Sequence, residues 1–212
     1  MSQIKAPAFL EDAFTTGYSA KDPDGDALNF TTIDIGRLNI KDGKIYACDP
    51  LALYLEEPFT TTFPKGEFPV QVAIANVNND ERIGFARIKF ADTKPLRWEY
   101  ALTDGQDVSE LGKGEIFGYS VDSGTGSFMD TSGYADYDNL YKEDAELSTV
   151  SKQLNETYED TRAWLMWEGK NSNVAIFSTG YGDGLYATYI GYDAGGNICR
   201  LVSDFNMLEW KG

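Results

Sequence analysis

The sequence predicts an α+β fold, a mostly antiparallel β-sheet with one main amphipathic helix near residues 140–158. Three observations indicate this class. Short apolar segments recur along the chain, turns rich in glycine and aspartate separate them, and a helical period occurs in one place. The 212 residues contain no internal repeat and no low-complexity linker, so we expect a single globular domain over residues 1–212.

The first predicted hairpin begins with a long apolar segment, residues 28–40. Asp42-Gly43 follows it and is typical of a tight hairpin turn, so residues 45–48 should return antiparallel to that segment. Residues 51–66 contain two prolines and predict a surface loop.

The second predicted hairpin pairs residues 68–77 with residues 82–90 across an Asn-Asn-Asp turn. Its apolar residues alternate, as in a strand with one face in the core. Residues 96–102 and 116–121 are further predicted strands, separated by a polar loop.

The predicted helix carries Leu140, Leu147, Val150, Leu154 and Tyr158 at steps of three, four and seven residues. This spacing places them on one helix face. Four aromatic or β-branched segments then predict strands, and the last two flank an Asp-Ala-Gly-Gly hairpin turn. These segments are residues 163–167, 174–178, 185–192 and 198–204.

The formal net charge of −16 is unevenly distributed, with −4 in residues 1–100 and −12 in residues 101–212. We expect no binding to nucleic acid or to membrane, since phosphate backbones and anionic lipids repel such a chain. A basic protein partner or a cation is favoured instead. Apolar runs of only a few residues and an N-terminus without an apolar stretch predict a soluble cytoplasmic protein.

The composition also limits the chemistry available to an enzyme. Histidine is absent, which excludes Ser-His-Asp and Cys-His catalysis and His-ligated metals. The two cysteines, Cys48 and Cys199, have no metal-binding spacing and are expected to be buried thiols. Any chemistry would depend on carboxylates, Lys, Tyr or an oxygen-ligated metal.

Residues 136–160 contain eight acidic side chains and only two lysines. Together with neighbouring tyrosines they predict a partner-binding surface, because interfaces favour aromatic residues and charge complementarity. A solvated helix face is the alternative. The predicted partner-binding residues are Tyr134, Asp136, Tyr137, Asp138, Tyr141, Glu143, Asp144 and Glu146.

Two glycine-rich segments, residues 121–130 and 178–186, carry aspartates at predicted strand ends or turns. If Asp122, Asp130 and Asp183 converge, their oxygens would suit Mg²⁺ or Ca²⁺. The alternatives are a glycine turn that positions Asp122 and Asp130, or a helix-capping aspartate.

A third acidic segment, Asp22-Pro23-Asp24-Gly25-Asp26, resembles oxygen-rich calcium loops. It lacks the glutamate that an EF-hand needs twelve positions along, since that position is Ile33. An ordinary turn is the alternative.

Several blocks in order resemble a bacterial family called domain of unknown function 4241, over about residues 33–205. Two positions differ from the family pattern: Ser127 stands where the family often has Cys, and Tyr181 where it has Trp. The first difference argues against a thiol nucleophile there. The family is uncharacterised, so the resemblance implies a bacterial origin and no activity. The blocks are Gly36-Arg37-Leu38, Gly43-Lys44-Ile45, Cys48-Asp49-Pro50-Leu51, Pro64-Lys65-Gly66 before Pro69-Val70, Val121–Asp130, Gly182–Tyr186, Gly191-Tyr192-Asp193 and Asp204-Phe205.

These observations favour a non-enzymatic acidic binding protein of the immunity or antitoxin type, which occludes a basic protein partner. One alternative is a metal-dependent hydrolase or transferase that uses the aspartate cluster. The other is a calcium-stabilised structural module built on residues 22–26.

Overall fold

The computed structural model describes residues 7–54, 56–142 and 144–209. The helices are α1 (Phe9–Asp12), α2 (Thr131–Tyr141) and α3 (Asp144–Asn155). The strands are β1 (Ser19–Lys21), β2 (Ala27–Ile40), β3 (Ile45–Cys48), β4 (Gly66–Val77), β5 (Asp80–Lys89), β6 (Arg97–Tyr100), β7 (Tyr119–Val121), β8 (Thr125–Asp130), β9 (Trp164–Glu168), β10 (Asn173–Ser178), β11 (Gly184–Tyr186), β12 (Thr188–Tyr192) and β13 (Ile198–Asp204).

The strands form three antiparallel sheets. Sheet A has the order β1-β2-β4-β5-β13-β12-β6, sheet B the order β3-β8-β10-β9, and β7 pairs with β11 in a two-stranded ribbon. Few helical residues accompany them, which confirms the predicted α+β class with mostly antiparallel sheet.

The core lies in layers, and alternate residues of one strand enter different layers. On β10, Ala175 and Phe177 face the apolar layer between sheets A and B, whereas Val174 and Ile176 face a second layer under α2 and α3. A third apolar layer covers the other face of sheet A, beneath α1 and residues 207–208. Because the side chains of a strand alternate, one strand serves two layers.

Two predicted hairpins are confirmed. In the β4–β5 hairpin, Asn78 and Asn79 both have positive φ, as a two-residue turn of this type requires. In the β12–β13 hairpin, the Asp193 carboxylate accepts the backbone N–H groups of Gly195 and Asn197, both at 2.9 Å.

The predicted pairing of residues 28–40 with residues 45–48 is wrong. β2 pairs with β1 and β4 in sheet A, whereas β3 pairs with β8 in sheet B. Gly43 is at φ +84°, and its carbonyl accepts the N–H of Phe63 at 2.8 Å. The turn therefore anchors the following loop and carries the chain from one sheet to the other.

The predicted helix over residues 140–158 is two helices, α2 and α3, and helical structure begins earlier, at Thr131. Asp130 caps α2, because its carboxylate accepts the N–H of Ser132 at 2.9 Å. The helical period covers only the end of α2 and all of α3, so the sequence reveals the second helix more clearly than the first.

The short helix α1 is fixed to sheet A by a buried ion triad. The Glu11 carboxylate accepts hydrogen bonds from Arg87 at 3.1 Å and from Arg200 at 2.9 and 3.0 Å. Both arginines are buried, and the Arg87 guanidinium also lies 4.0 Å from the ring centre of Phe14. One carboxylate thus compensates two buried positive charges.

Candidate functional site

The two glycine-rich segments lie next to each other in the structure. In the β7–β11 ribbon, Leu185 lies opposite Ser120. The turns beside the ribbon also touch, since Thr179 donates its N–H to the carbonyl of Gly124 at 3.1 Å. A Cβ atom on Gly124 would lie 3.5 Å from the Cα of Gly182. Two segments that are distant in sequence therefore build one surface.

The side chain of Asp49 fixes the turn that contains Asp122 and Ser123. Its buried carboxylate accepts the backbone N–H groups of Asp122 at 2.9 Å and Ser123 at 2.8 Å, and the Ser123 hydroxyl at 2.6 Å. It also accepts the N–H groups of Leu51 and Ala52. Asp49 directly follows the predicted strand 45–48, and the sequence does not reveal its role, because a buried anchoring aspartate and a turn aspartate look alike in sequence.

The surface above Asp49, here called the glycine-turn face, consists of Tyr54, Asp122, Tyr181, Asp183 and Leu185. Its three apolar members are among the five large apolar side chains that are exposed in the described chain. The Tyr54 hydroxyl donates to Asp122 Oδ2 at 3.3 Å, and the Asp122 charge raises the pKa of Tyr54. Exposed apolar rings interleaved with carboxylates are typical of a protein-binding surface.

Arg82, the positively charged side chain beside this face, already has an ion-pair partner. Arg82 lies over the ring of Tyr181, 4.8 Å from its centre, and pairs with Asp80 at 2.7 Å. Among the ion pairs of the described residues, none includes Asp122 or Asp183. The face therefore presents uncompensated negative charge.

A recess of about 350 Å³ opens next to Tyr54. The loop side contributes Glu56, Glu57 and Phe59, and the described residues of the lining include no Lys or Arg. Burial raises the pKa of Glu56, although a hydrogen bond from the backbone of Tyr54 opposes that shift. The remaining lining residues come from strand ends and the connections between them: Ala47, Ala101, Thr103, Gln106, Gly118, Tyr119, Ser120 and Thr188.

The predicted partner-binding residues of α2 have mainly structural contacts. Tyr137 is fully buried and stacks edge-on against Trp167, so its assignment as a contact residue is wrong. Tyr134 stacks on Tyr46 with ring centres 4.4 Å apart. Asp136 accepts the hydroxyl of Ser172 at 2.6 Å.

The other members of that predicted set remain a prediction. Asp138 pairs with Lys142 at 2.6 Å, and Tyr141 is half-buried at the end of α2. Glu143 lies outside the described residues, and the side chains of Asp144 and Glu146 are likewise not described. Several of the residues expected to form a continuous acidic and aromatic surface on α2 thus make contacts within the protein instead.

The predicted metal ligands Asp122, Asp130 and Asp183 are not brought together. Among the described residues, no group of three or more Asp, Glu, His or Cys side chains has the arrangement to hold a metal ion. Asp130 Oδ2 instead accepts the N–H groups of Lys41 and Asp42 at 3.1 and 3.2 Å. Both structural alternatives hold, since Gly124 forms a turn at φ +68° and Asp130 caps a helix.

The Asp22–Asp26 segment is a turn between β1 and β2. Asp22 Oδ1 accepts the N–H of Asp26 at 2.8 Å, and the Asp22 N–H donates to the Asp26 carbonyl at 3.0 Å. The Asp22 carboxylate closes the turn in the way that ordinary turns use aspartate, and Asp26 Oδ2 accepts the Asn78 side chain at 3.3 Å.

Neither thiol has the surroundings of a nucleophile. Cys48 and Cys199 are free and buried, and burial raises the pKa of both. Reactive cysteines require the opposite shift. Ser127 is also buried and donates its hydroxyl to the Cys48 carbonyl at 2.9 Å, which is a structural role.

Comparisons with known proteins give a family and no activity. No helix among the described residues combines the length and apolar character needed to cross a membrane. Searches of curated proteins and of solved structures find no match. A family model described as "Protein of unknown function (DUF4241)" matches residues 38–203, which include both glycine-rich segments and most of the two large sheets. The chain therefore belongs to the DUF4241 family.

Proposed function

We propose that this chain is a non-enzymatic acidic binding protein of the immunity or antitoxin type, which occludes a basic protein partner. The observation that carries the proposal is the glycine-turn face, where Tyr54, Tyr181 and Leu185 are exposed. The face also contains Asp122 and Asp183, which form no ion pair within the described part of the chain. Aromatic contact supplies buried area, and the carboxylates supply attraction to positive charge.

The distribution of positive charge supports the same function. Five of the six arginines form internal ion pairs, and the sixth, Arg37, donates to the Glu67 carbonyl. The arginines are therefore bound within the fold, while the net charge remains −16. Such a surface speeds association with a cationic partner, and salt weakens the attraction.

We place the protein in the cytoplasm. The free thiols Cys48 and Cys199 support this assignment, because cysteines remain reduced in that compartment. A bacterial host fits the immunity or antitoxin type.

The test is affinity capture from the native host with the wild-type chain, washed at low and at high salt. We expect one basic protein that is retained at low salt and lost at high salt. The double variant Asp122→Lys, Asp183→Lys should lose it, because both side chains are exposed and their charge reverses. A matched control, Asp24→Lys with Asp26→Lys in the β1–β2 turn, should keep it.

Two results would contradict the proposal. One is that no basic protein is retained under any wash. The other is that both double variants retain the same protein equally well, which would place the interface away from the glycine-turn face.

A further inference from the structure

The recess beside the glycine-turn face has a chemical character of its own. It is a partly open cavity of about 350 Å³, and Tyr54 of the face is one of its lining residues. We propose that it takes one arginine or lysine side chain of the basic partner, so that the carboxylates of Glu56 and Glu57 receive the cationic group. This inference rests on the proposed function and names the group that the site recognises.

The charged side chains that line the recess are both acidic. Glu56 and Glu57 both line it, and the ion pairs of the described residues include neither carboxylate. Lys44 shares a neighbouring pocket with Glu57, but among the described residues it forms no ion pair with it, and its Nζ donates to the Thr60 carbonyl at 2.5 Å. A half-buried carboxylate such as Glu56 loses hydration without gaining a cation, and an entering cation would restore that interaction.

The lining of the recess also suits the aliphatic stem of an arginine or lysine side chain. Phe59 and Ala101 are apolar and buried, so they can contact a methylene stem. The Tyr54 ring is 68% exposed at the opening, where a guanidinium or ammonium group can lie over its face. Thr103 and Gln106 add polar atoms to the lining.

Other ligand classes fit less well. A bare metal ion would need more carboxylates at close spacing, and the described residues hold no such group. A phosphate or carboxylate ligand would meet two negative charges and, in the lining that the structure describes, no positive one. The combination of apolar walls and acidic groups matches an aliphatic cation.

The experiment titrates the full chain with Nα-acetyl-arginine amide and Nα-acetyl-lysine amide, and follows binding by NMR. The uncharged probe Nα-acetyl-citrulline amide is the ligand control. We expect millimolar binding of at least one cationic probe, and binding of citrulline weaker by about tenfold. Glu56→Gln should weaken the cationic probe by about tenfold. Glu168→Gln, an exposed carboxylate outside the recess, should leave it unchanged.

Absence of binding by both cationic probes, equal binding of citrulline, or unchanged binding in Glu56→Gln would overturn the inference. If Glu56→Gln lowers the melting temperature, Glu57→Gln provides the second test, because Glu57 is exposed. The outcome is separable from that of the proposed function. A basic partner that is still captured through Asp122 and Asp183, by a protein whose recess binds no cationic probe, refutes only the recess.

Discussion

Asp204 at the end of β13 has a buried carboxyl group, 4% exposed, that forms no ion pair among the described residues. Burial raises its pKa from 3.8 to about 7, against the opposing effect of the Asn206 N–H, which donates to Oδ1 at 2.9 Å. Its neighbour Tyr189 is also buried and supplies no positive charge. We predict that Asp204→Asn stabilises the protein above neutral pH.

The magnitude follows from linkage between folding and proton binding. Since the folded pKa lies above the unfolded one, the folded state binds the proton more tightly. The stabilisation from Asp204 is therefore complete below pH 4 and is lost as the pH rises through about 7. A shift of about three pKa units corresponds to about 4 kcal/mol, with a largest slope of about 1.4 kcal/mol per pH unit.

The assay is urea unfolding of the wild type and Asp204→Asn at intervals between pH 4 and pH 8.5. Asparagine keeps an oxygen for the Asn206 N–H, so the two proteins should be equally stable at pH 4. The difference in unfolding free energy should then grow in favour of Asp204→Asn and become constant above about pH 8. A constant difference across the range would show that burial does not perturb the Asp204 carboxyl and would refute the reasoning.

Three further changes test the structure by urea unfolding. Glu11→Ala leaves two buried arginines without their carboxylate and should cost about 3 kcal/mol, whereas the exposed control Asp92→Ala should change nothing measurable; equal stability of the two variants would contradict the ion triad. Asp49→Asn places an amide where two backbone N–H groups converge and should cost about 2 kcal/mol, and an unchanged midpoint would exclude that anchoring role. Tyr137→Phe removes a buried hydroxyl that has no hydrogen-bond partner among the described residues and should stabilise by about 1 kcal/mol, whereas Tyr186→Phe should destabilise because its hydroxyl donates to the Gly182 carbonyl. Destabilisation by Tyr137→Phe would show that this hydroxyl has a partner.

The sequence predicts strands better than it predicts their partners. The segments around the Asn78 and Asp193 turns pair as expected, because those turns favour the twist of a hairpin. Asp42-Gly43 has the same local chemistry, but it redirects the chain into another sheet. A turn signal specifies backbone conformation, and the partner depends on packing between distant segments.

The candidate site was predictable in part. The sequence reveals both glycine-rich segments, since their glycines and aspartates are unusual, but their contact with each other depends on the β7–β11 ribbon. The sequence predicts Tyr137 at the surface, although Gly133 and Tyr137 form the buried side of α2. A helix with only a weak apolar period does not reveal from sequence which face is buried.

The place of β13 between β5 and β12 has a consequence for synthesis on the ribosome. Until residues 198–204 emerge, β5 and β12 each expose a row of unpaired backbone groups, and Leu201 and Val202 are missing from the two apolar layers beside sheet A. Sheet A therefore cannot assemble progressively with the growing chain. A product interrupted before Ile198 should be an aggregation-prone substrate for chaperones and proteases, and not a smaller working version of the protein.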